Sequence, residues 1–369
     1  MKAIGIILAG GNNDRLQELT ASRATSAMPV VSSYRAIDFS LSNMSNSGIN
    51  KVAVITQYNS RSLHDHLSSA KWWDLGRKQG GIFIFTPFIS NTNSYWFRGT
   101  ADSIYQNISF LERSNEPYVI IASGDSIYKM DYSQMLKQHI ETNADVTIAY
   151  QNMPNRDVSQ YGVMELDENK NVLDFEEKPI DPTSFDVSLG IYIISRSLLI
   201  KLLETILPEA RYDLVKDIII RYRRKLKIVG YEFNDYWSVL NSIESYYNTN
   251  MDFLNSDIRK KFFLESPHIA TKSKDEPPAK YNSGAKVSNA LIGSGSILNG
   301  YVKDSVLFRK VFTGDNTSIT DSIIMEGSYV GNNCVVKHAI LDKETVVSDG
   351  KSIIGTKDKP VIIAKGTVI

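Results

Sequence analysis

Short apolar runs recur through the first half of the chain, at Ala3–Ala9, Val52–Gln57, Ile82–Phe85, Tyr118–Ala122, Val146–Ala149 and Gly190–Ile194. Their length and composition predict buried strands. Longer mixed segments lie between them, at Ser60–Leu67, Ala101–Glu112 and Tyr132–Thr142. Apolar positions there fall three and four apart, which predicts helices. Strands alternating with helices predict an α/β fold with a mixed, mostly parallel sheet covered on both faces. Ligands of such sheets sit at the C-terminal ends of the strands. Two loops are placed for that, Gly10-Gly11 after the first run and Gly124-Asp125 after Tyr118–Ala122.

The pattern changes after residue 256. Residues 260–284 hold Lys, Glu, Ser and Pro277-Pro278 with little apolar periodicity, the composition of a linker. Beyond it an apolar residue returns every five or six positions: Val287, Ile292, Ile297, Val302, Val306, Phe312, Ile319, Ile324, Val330, Val335, Ile340 and Val346. Gly293, Gly314 and Gly331 punctuate the series. A period near six with turn residues between is the hexapeptide pattern of a β-helix. A small β-sandwich is the alternative. The domains expected are therefore 1–256, a linker at 257–284, and a β-helix at 285–369.

At 369 residues the chain can bury two cores. Its 41 basic and 41 acidic residues cancel, so no global field draws it to nucleic acid or to a membrane. The run Ala3–Ala9 is too short for a membrane span. The one cysteine, Cys334, allows no intrachain disulfide and no thiolate zinc site. A cytoplasmic protein is expected.

The motifs carry the chemistry. Residues 8–43 read LAGGNNDRLQELTASRATSAMPVVSSYRAIDFSLSN, and RGTADSIYQN, SGDSIYKMDY and FEEKP follow in order. This series resembles the sugar-nucleotide pyrophosphorylases, specifically glucose-1-phosphate adenylyltransferase (ADP-glucose pyrophosphorylase). The resemblance implies a Rossmann-like, GT-A-like nucleotidyltransferase domain followed by a left-handed β-helix. It also implies transfer of an adenylyl group from ATP to glucose 1-phosphate, releasing pyrophosphate. By the same resemblance Gly10, Gly11, Gln57, Gly99, Thr100 and Asp102 would lie on the nucleotide side, with Arg15 retained near the phosphates. Glu177, Lys178, Ser188, Tyr192, Asp213 and Trp237 would form the sugar-phosphate side. Asp125 would be the first of two carboxylates holding Mg²⁺.

Four departures from the family pattern fall on the phosphates and the metal. Asn13 stands for a glycine where backbone should approach phosphate. Asp14 adds a negative charge beside a polyanion. Thr25 replaces the lysine of RAKPA. Val239, in Tyr236-Trp237-Ser238-Val239, replaces the second metal aspartate, and valine offers Mg²⁺ no oxygen. Losing one charge-stabilising donor costs about 10²–10³ in rate. The expected function is a non-catalytic or weakly catalytic regulatory subunit of the GlgD type, in a hetero-tetramer with a catalytic paralogue. It would need no cofactor, and Mg²⁺ only for residual catalysis. A sugar phosphate is a possible ligand. Alternatives are an active adenylyltransferase with an unusual metal site, with Asp235 as a substitute ligand, and a β-helix scaffold or acyltransferase.

Other conspicuous residues have plainer readings. Trp72-Trp73 reads as packing, and His64 and His66 as residues on different helix faces. His338 reads as a turn histidine. Arg221–Lys225 reads as a solvated helix end, with an effector phosphate site as the alternative.

Overall fold

The computed structural model describes residues 2–11, 14–76, 80–88 and 96–369. Its first part is built on the strands β1 (Ala3–Leu8), β2 (Lys51–Ile55), β3 (Gly81–Phe85), β4 (Tyr118–Ser123), β5 (Ser126–Tyr128), β6 (Val146–Asn152), β7 (Gly162–Leu166), β8 (Val172–Glu177), β9 (Asp186–Ser195), β10 (Ile228–Glu232) and β11 (Trp237–Val239). Nine of them form one sheet. β3, β2, β1 and β4 run parallel side by side. β9 lies antiparallel to β4 and carries β6 and β7 beyond it. β10 extends the sheet parallel to β6, and β8 hangs antiparallel on β7. Only β8 and β9 oppose the common direction, so the sheet is mixed and mostly parallel, as the alternation predicts.

β1 takes the centre because both its faces are apolar: Ile4, Ile6 and Ile7 are buried. Alternate residues enter two separate cores, Ile4 and Ile6 on one side and Ile7 on the other. The expected helix over Ala101–Glu112 is two short ones, Thr100–Tyr105 and Ile108–Glu112, broken at Asn107. The amide of Asn107 bonds back to the Ser103 carbonyl, a local competition with helix bonding.

The second part is a β-helix. Equivalent residues lie seventeen apart, as in Val302, Ile319 and Val336. Leu298, Leu307, Ile324, Val330, Leu341 and Val347 point inward and are buried. The apolar series read from sequence mixes such inward residues with outward ones such as Ile297, Phe312 and Val335. Its first strand, Lys280–Tyr281, already pairs with Ile297–Leu298, inside the stretch read as linker.

The two parts share a core. Tyr246, Tyr247, Phe253 and Phe262 pack with Val306, Ile323 and Ile340. Arg23 and Asp342 form a buried ion pair across the junction at 2.7 Å. Breaking such a pair from one side costs about 3–5 kcal/mol. Among the described residues, no helix is long and apolar enough to cross a membrane.

Candidate active site

The C-terminal ends of β1, β2 and β4 open into a cleft of about 820 Å³. The loop after β1 supplies Gly10, Gly11, Asp14, Arg15 and Thr25 to its lining. Gly10 lies where a Cβ would meet the Gln57 backbone at 3.4 Å, whereas a Cβ on Gly11 would meet nothing within 4 Å. The open side of Gly11 is where a polyanion can approach backbone N–H groups. Asn13, the first departure, lies outside the described residues. Thr25 is buried at the cleft wall, so a short hydroxyl stands where the family pattern has a long cation.

Gln57 and Phe97 close the next stretch of wall. The Phe97 N–H donates to Gln57 Oε1 at 2.6 Å, and Gln57 Nε2 donates to the Phe97 carbonyl at 3.4 Å. The Gln57 amide, expected on the nucleotide side, is thus held against the backbone. Gly99 is fixed by crowding, since a Cβ there would lie 2.4 Å from the Tyr212 carbonyl oxygen. Thr100 lines the cleft and its hydroxyl accepts from the Leu214 N–H at 2.8 Å. Asp102 is fully buried and does not reach the cleft surface. It accepts from the Arg98 N–H and guanidinium and from Gln106. It therefore positions Arg98, which does line the cleft and stacks on Tyr212 with the guanidinium 4.0 Å from the ring centre.

Asp125 follows β4 at the floor. Burial pushes its carboxyl above the ordinary range, against the opposing hydrogen bond from Ser123. β5 and β11 form a ribbon that aligns Val239 with Ser126, the neighbour of Asp125, and the Leu240 N–H donates to the Asp125 carbonyl at 3.0 Å. Position 239 is thus next to Asp125 along the ribbon, and the valine there packs against the apolar core and is not among the residues lining the cleft. Among the described residues, no three His, Cys, Asp or Glu side chains gather as a metal set. One carboxylate beside a valine does not fit a two-carboxylate Mg²⁺ site. Asp235 pairs with Lys261 at the surface, away from this floor.

The opposite wall is assembled from β8, β9 and the loop beyond. Lys178 and Tyr192 line the cleft. Ser188 shares β9 with Tyr192 and hydrogen-bonds its phenol, while burial raises the Tyr192 pKa. Glu177 is raised chiefly by burial; Lys178 and Lys216 counter that, and nearby Asp213 adds to it. Asp213 also accepts from the N–H groups of Val215 and Lys216, capping the next helix. Trp237 is buried edge-on to Tyr161, with its indole N–H unpartnered. Five of the expected sugar-side residues thus converge, with Trp237 packed behind Tyr161.

The sequence reading missed several lining residues. Gln160 accepts from Arg15 across the cleft. Tyr58 stacks with exposed Trp96 at 6.1 Å, and only Tyr58 lines the cleft. A second concavity at the domain junction gathers Arg35, Lys272, Lys274, Arg309 and Lys343 around Glu326. Burial acts to raise the Glu326 carboxyl, but Lys343 and Lys274 outweigh it and bring it down to about 2. These cations come from distant segments, so no motif announced them. His66 is held by Asp38 at 2.6 Å. In the basic cluster, Arg221 pairs with Glu209 and Arg223 with Asp174.

The Gly-Gly loop, the floor carboxylate and the acid–lysine wall on a mixed α/β sheet define a nucleotidyltransferase fold. Residues 4–256 match the family model for nucleotidyl transferases, and residues 277–360 match the GlmU-like C-terminal hexapeptide model. The chain belongs to the glucose-1-phosphate adenylyltransferase family. It is 38% identical to the glucose-1-phosphate adenylyltransferases of Bacillus mycoides (strain KBAB4) and Bacillus anthracis over 370 residues, covering 99% of this chain and 98% of each relative.

Proposed function

We propose that this chain is a non-catalytic or weakly catalytic regulatory subunit of a bacterial ADP-glucose pyrophosphorylase. Its partner is a catalytic paralogue, joined to it in a cytoplasmic hetero-tetramer of glycogen synthesis. One observation carries the reading: Val239 lies beside Asp125, where a second carboxylate would be needed to hold Mg²⁺ between reacting phosphates. Thr25 and Asp14 support it, because both leave the phosphate wall less positive than adenylyl transfer requires. No cofactor is required, and Mg²⁺ matters only to residual turnover. A sugar phosphate held by Lys178 and Glu177 is the ligand this cleft suits best.

The retained Arg15, Asp125 and Lys178 favour a second reading, an active glucose-1-phosphate adenylyltransferase with an altered metal site. The test is an ADP-glucose synthesis assay of the pure chain with ATP, glucose 1-phosphate and Mg²⁺, then of the chain mixed with its catalytic paralogue. Little or no turnover alone, together with a changed rate or effector response of the mixture, is expected. Turnover in the ordinary range of about 1–10³ s⁻¹ by the isolated chain would establish the second reading instead.

A further inference from the structure

Among the described residues, the cationic side chains lining the cleft are Arg15, Arg98 and Lys178. Arg98 is committed to the buried carboxylate of Asp102 at 2.8 Å. Lys178 belongs to the sugar-side wall. Arg15 is the cation that the segment after β1 brings to the phosphate side, and it reaches across the cleft. Its guanidinium donates to Gln160 Oε1, on a residue 145 positions further along the chain. The two ends of this bridge are held differently. Gln160 lies in a turn fixed by its own hydrogen bonds: Asp157 accepts from the Ser159 N–H at 2.9 Å, and the Tyr161 N–H donates to the Val158 carbonyl at 3.0 Å. Val158 is buried in the core beneath. The Tyr161 carbonyl accepts from the Lys178 N–H at 3.0 Å, which ties the turn to the sugar-side wall. Gln160 Nε2 donates to Ser159 Oγ at 3.2 Å, so the amide is oriented with Oε1 towards Arg15. Arg15 starts from a strained segment, because Gln17 has φ 47° and ψ −126°, a combination that L side chains rarely adopt. Strain of this kind gathers at ligand clamps and switch regions.

We propose that Gln160 is a positioning residue for Arg15: its amide oxygen holds the guanidinium across the cleft and competes with phosphate for it. An incoming phosphate group binds Arg15 only by opening this clasp. The chemistry sets the direction of the competition. A guanidinium bound to phosphate has an ionised partner on both sides of the hydrogen bond, whereas bound to an amide carbonyl it has one on a single side. Phosphate therefore displaces the amide, and the amide lowers the affinity for phosphate. The turn is anchored in the core and the guanidinium is the exposed end, so opening moves Arg15 and leaves Gln160 in place.

The size of the effect follows from the closed fraction. A clasp closed about 70–90% of the time lowers the apparent affinity for phosphate about threefold to tenfold. The inference rests on the reading of this cleft as one that binds phosphate groups. It holds whether or not the chain turns substrate over, and it is separate from the missing second carboxylate at Val239.

Calorimetry of the full chain with inorganic pyrophosphate, in the presence of chelator, tests it. Gln160→Ala should bind pyrophosphate about threefold to tenfold more tightly than the parent. Gln160→Leu keeps the bulk and removes the acceptor, so it should show the same gain. Gln160→Glu turns the clasp into an ion pair and should bind about tenfold more weakly than the parent at low salt, with the difference shrinking as salt is raised. In an Arg15→Ala background, Gln160→Ala should give no gain. Four results would overturn the proposal: equal affinity in the parent and Gln160→Ala, a Leu variant that behaves as the parent while the Ala variant gains, a gain that survives Arg15→Ala, or no measurable pyrophosphate binding by any of these proteins. The ADP-glucose assay of the parent bears on the non-catalytic reading alone, since turnover there would overturn that reading and leave the clasp standing.

Discussion

On one side of the cleft Lys178 and Tyr192 line the wall, with Glu177 and Ser188 on two strands of the central sheet and Asp213 capping the helix beside them. On the other wall the phosphate-side positions Asp14 and Thr25 begin two short 3-10 helices in the connection after β1, and Val239 stands on a two-stranded ribbon behind it. The sugar-side groups are tied into the packing: Tyr192 and Ser188 are buried, and the Glu177 carboxylate lies over Gly162, where an added Cβ would come within 3.1 Å of it. Replacing them disturbs the core. The phosphate-side positions of the family pattern answer to ligand charge, and on the proposed non-catalytic reading the demand for that charge is gone. Val239 goes further, because an apolar side chain packed beside desolvated Asp125 removes the repulsion of two close carboxylates. On the proposed non-catalytic reading, the difference between the walls is what a stability–activity trade-off produces.

The sharpest way to break this comparison is to rebuild the deficient wall. Asn13→Gly, Asp14→Thr, Thr25→Lys and Val239→Asp together should raise Mg²⁺-dependent ATP affinity at least tenfold, read by calorimetry. ADP-glucose synthesis should rise by about 10² or more if the geometry recovers, since each restored donor is worth up to that much. No gain in either would mean that the loss lies elsewhere than in these four side chains.

Val239→Asp alone should do the opposite to the fold. A second carboxyl beside Asp125 loses about 1–3 kcal/mol of stability without metal, by desolvation and like-charge repulsion. The sign follows from the direction of the Asp125 shift. A carboxyl raised in the folded state binds protons more readily there than when unfolded. The deficit is thus fully present above the raised folded value and fades as pH falls towards the ordinary carboxylate range. Thermal melts at pH 5 and pH 8 should show the larger loss at pH 8, with Mg²⁺ recovering part of it. A variant as stable as the parent at pH 8 would remove the trade-off.

Much of this was legible from sequence because it is local. The strands at Ala3–Leu8 and Tyr118–Ser123 announce themselves as apolar runs, and the glycines, Asp125 and Lys178 stand in contiguous motifs. β7 and β8 went unread because Glu165, Asp174 and Glu176 break their apolar pattern with charge at a sheet edge. Asp102 matched a motif, yet its role is to hold Arg98, and only the fold reveals that its carboxylate points inward. The Arg15–Gln160 contact and the junction cations join residues far apart in the chain, which no motif spans. In the β-helix the period was visible, but a period near six does not say which apolar residues face in. Val302 and Ile297 look alike in sequence and lie on opposite sides of the wall.

The sugar-side wall can be tested on its own. Lys178 lines the cleft with a left-handed backbone, φ 53°, and its N–H donates to the Tyr161 carbonyl at 3.0 Å. Its ammonium is a cation on that wall that can pair with a single phosphate, and that pairing needs no metal. Lys178→Ala should weaken glucose 1-phosphate binding about tenfold, measured by calorimetry in the presence of chelator. Equal affinity in parent and variant would show that the wall is kept for packing and no longer for ligand.

The smallest effect should come from Asp235. It is the nearest acidic residue in sequence to position 239 on the N-terminal side, so it is the natural candidate to replace the lost ligand. Its carboxylate is instead half exposed and paired with Lys261, and its backbone carbonyl accepts from Gln151 at 3.0 Å. Both contacts hold it at the surface, and it is not among the residues that line the cleft. An exposed pair of this kind contributes about 0–1 kcal/mol. Asp235→Asn should accordingly change stability by less than about 1 kcal/mol and leave whatever Mg²⁺ or ATP binding the chain has unaltered. A fall in Mg²⁺-dependent binding on this one substitution would mean that the ribbon rearranges to bring Asp235 to the floor. The two walls would then differ in the state of the ribbon, and the missing carboxylate would have been relocated.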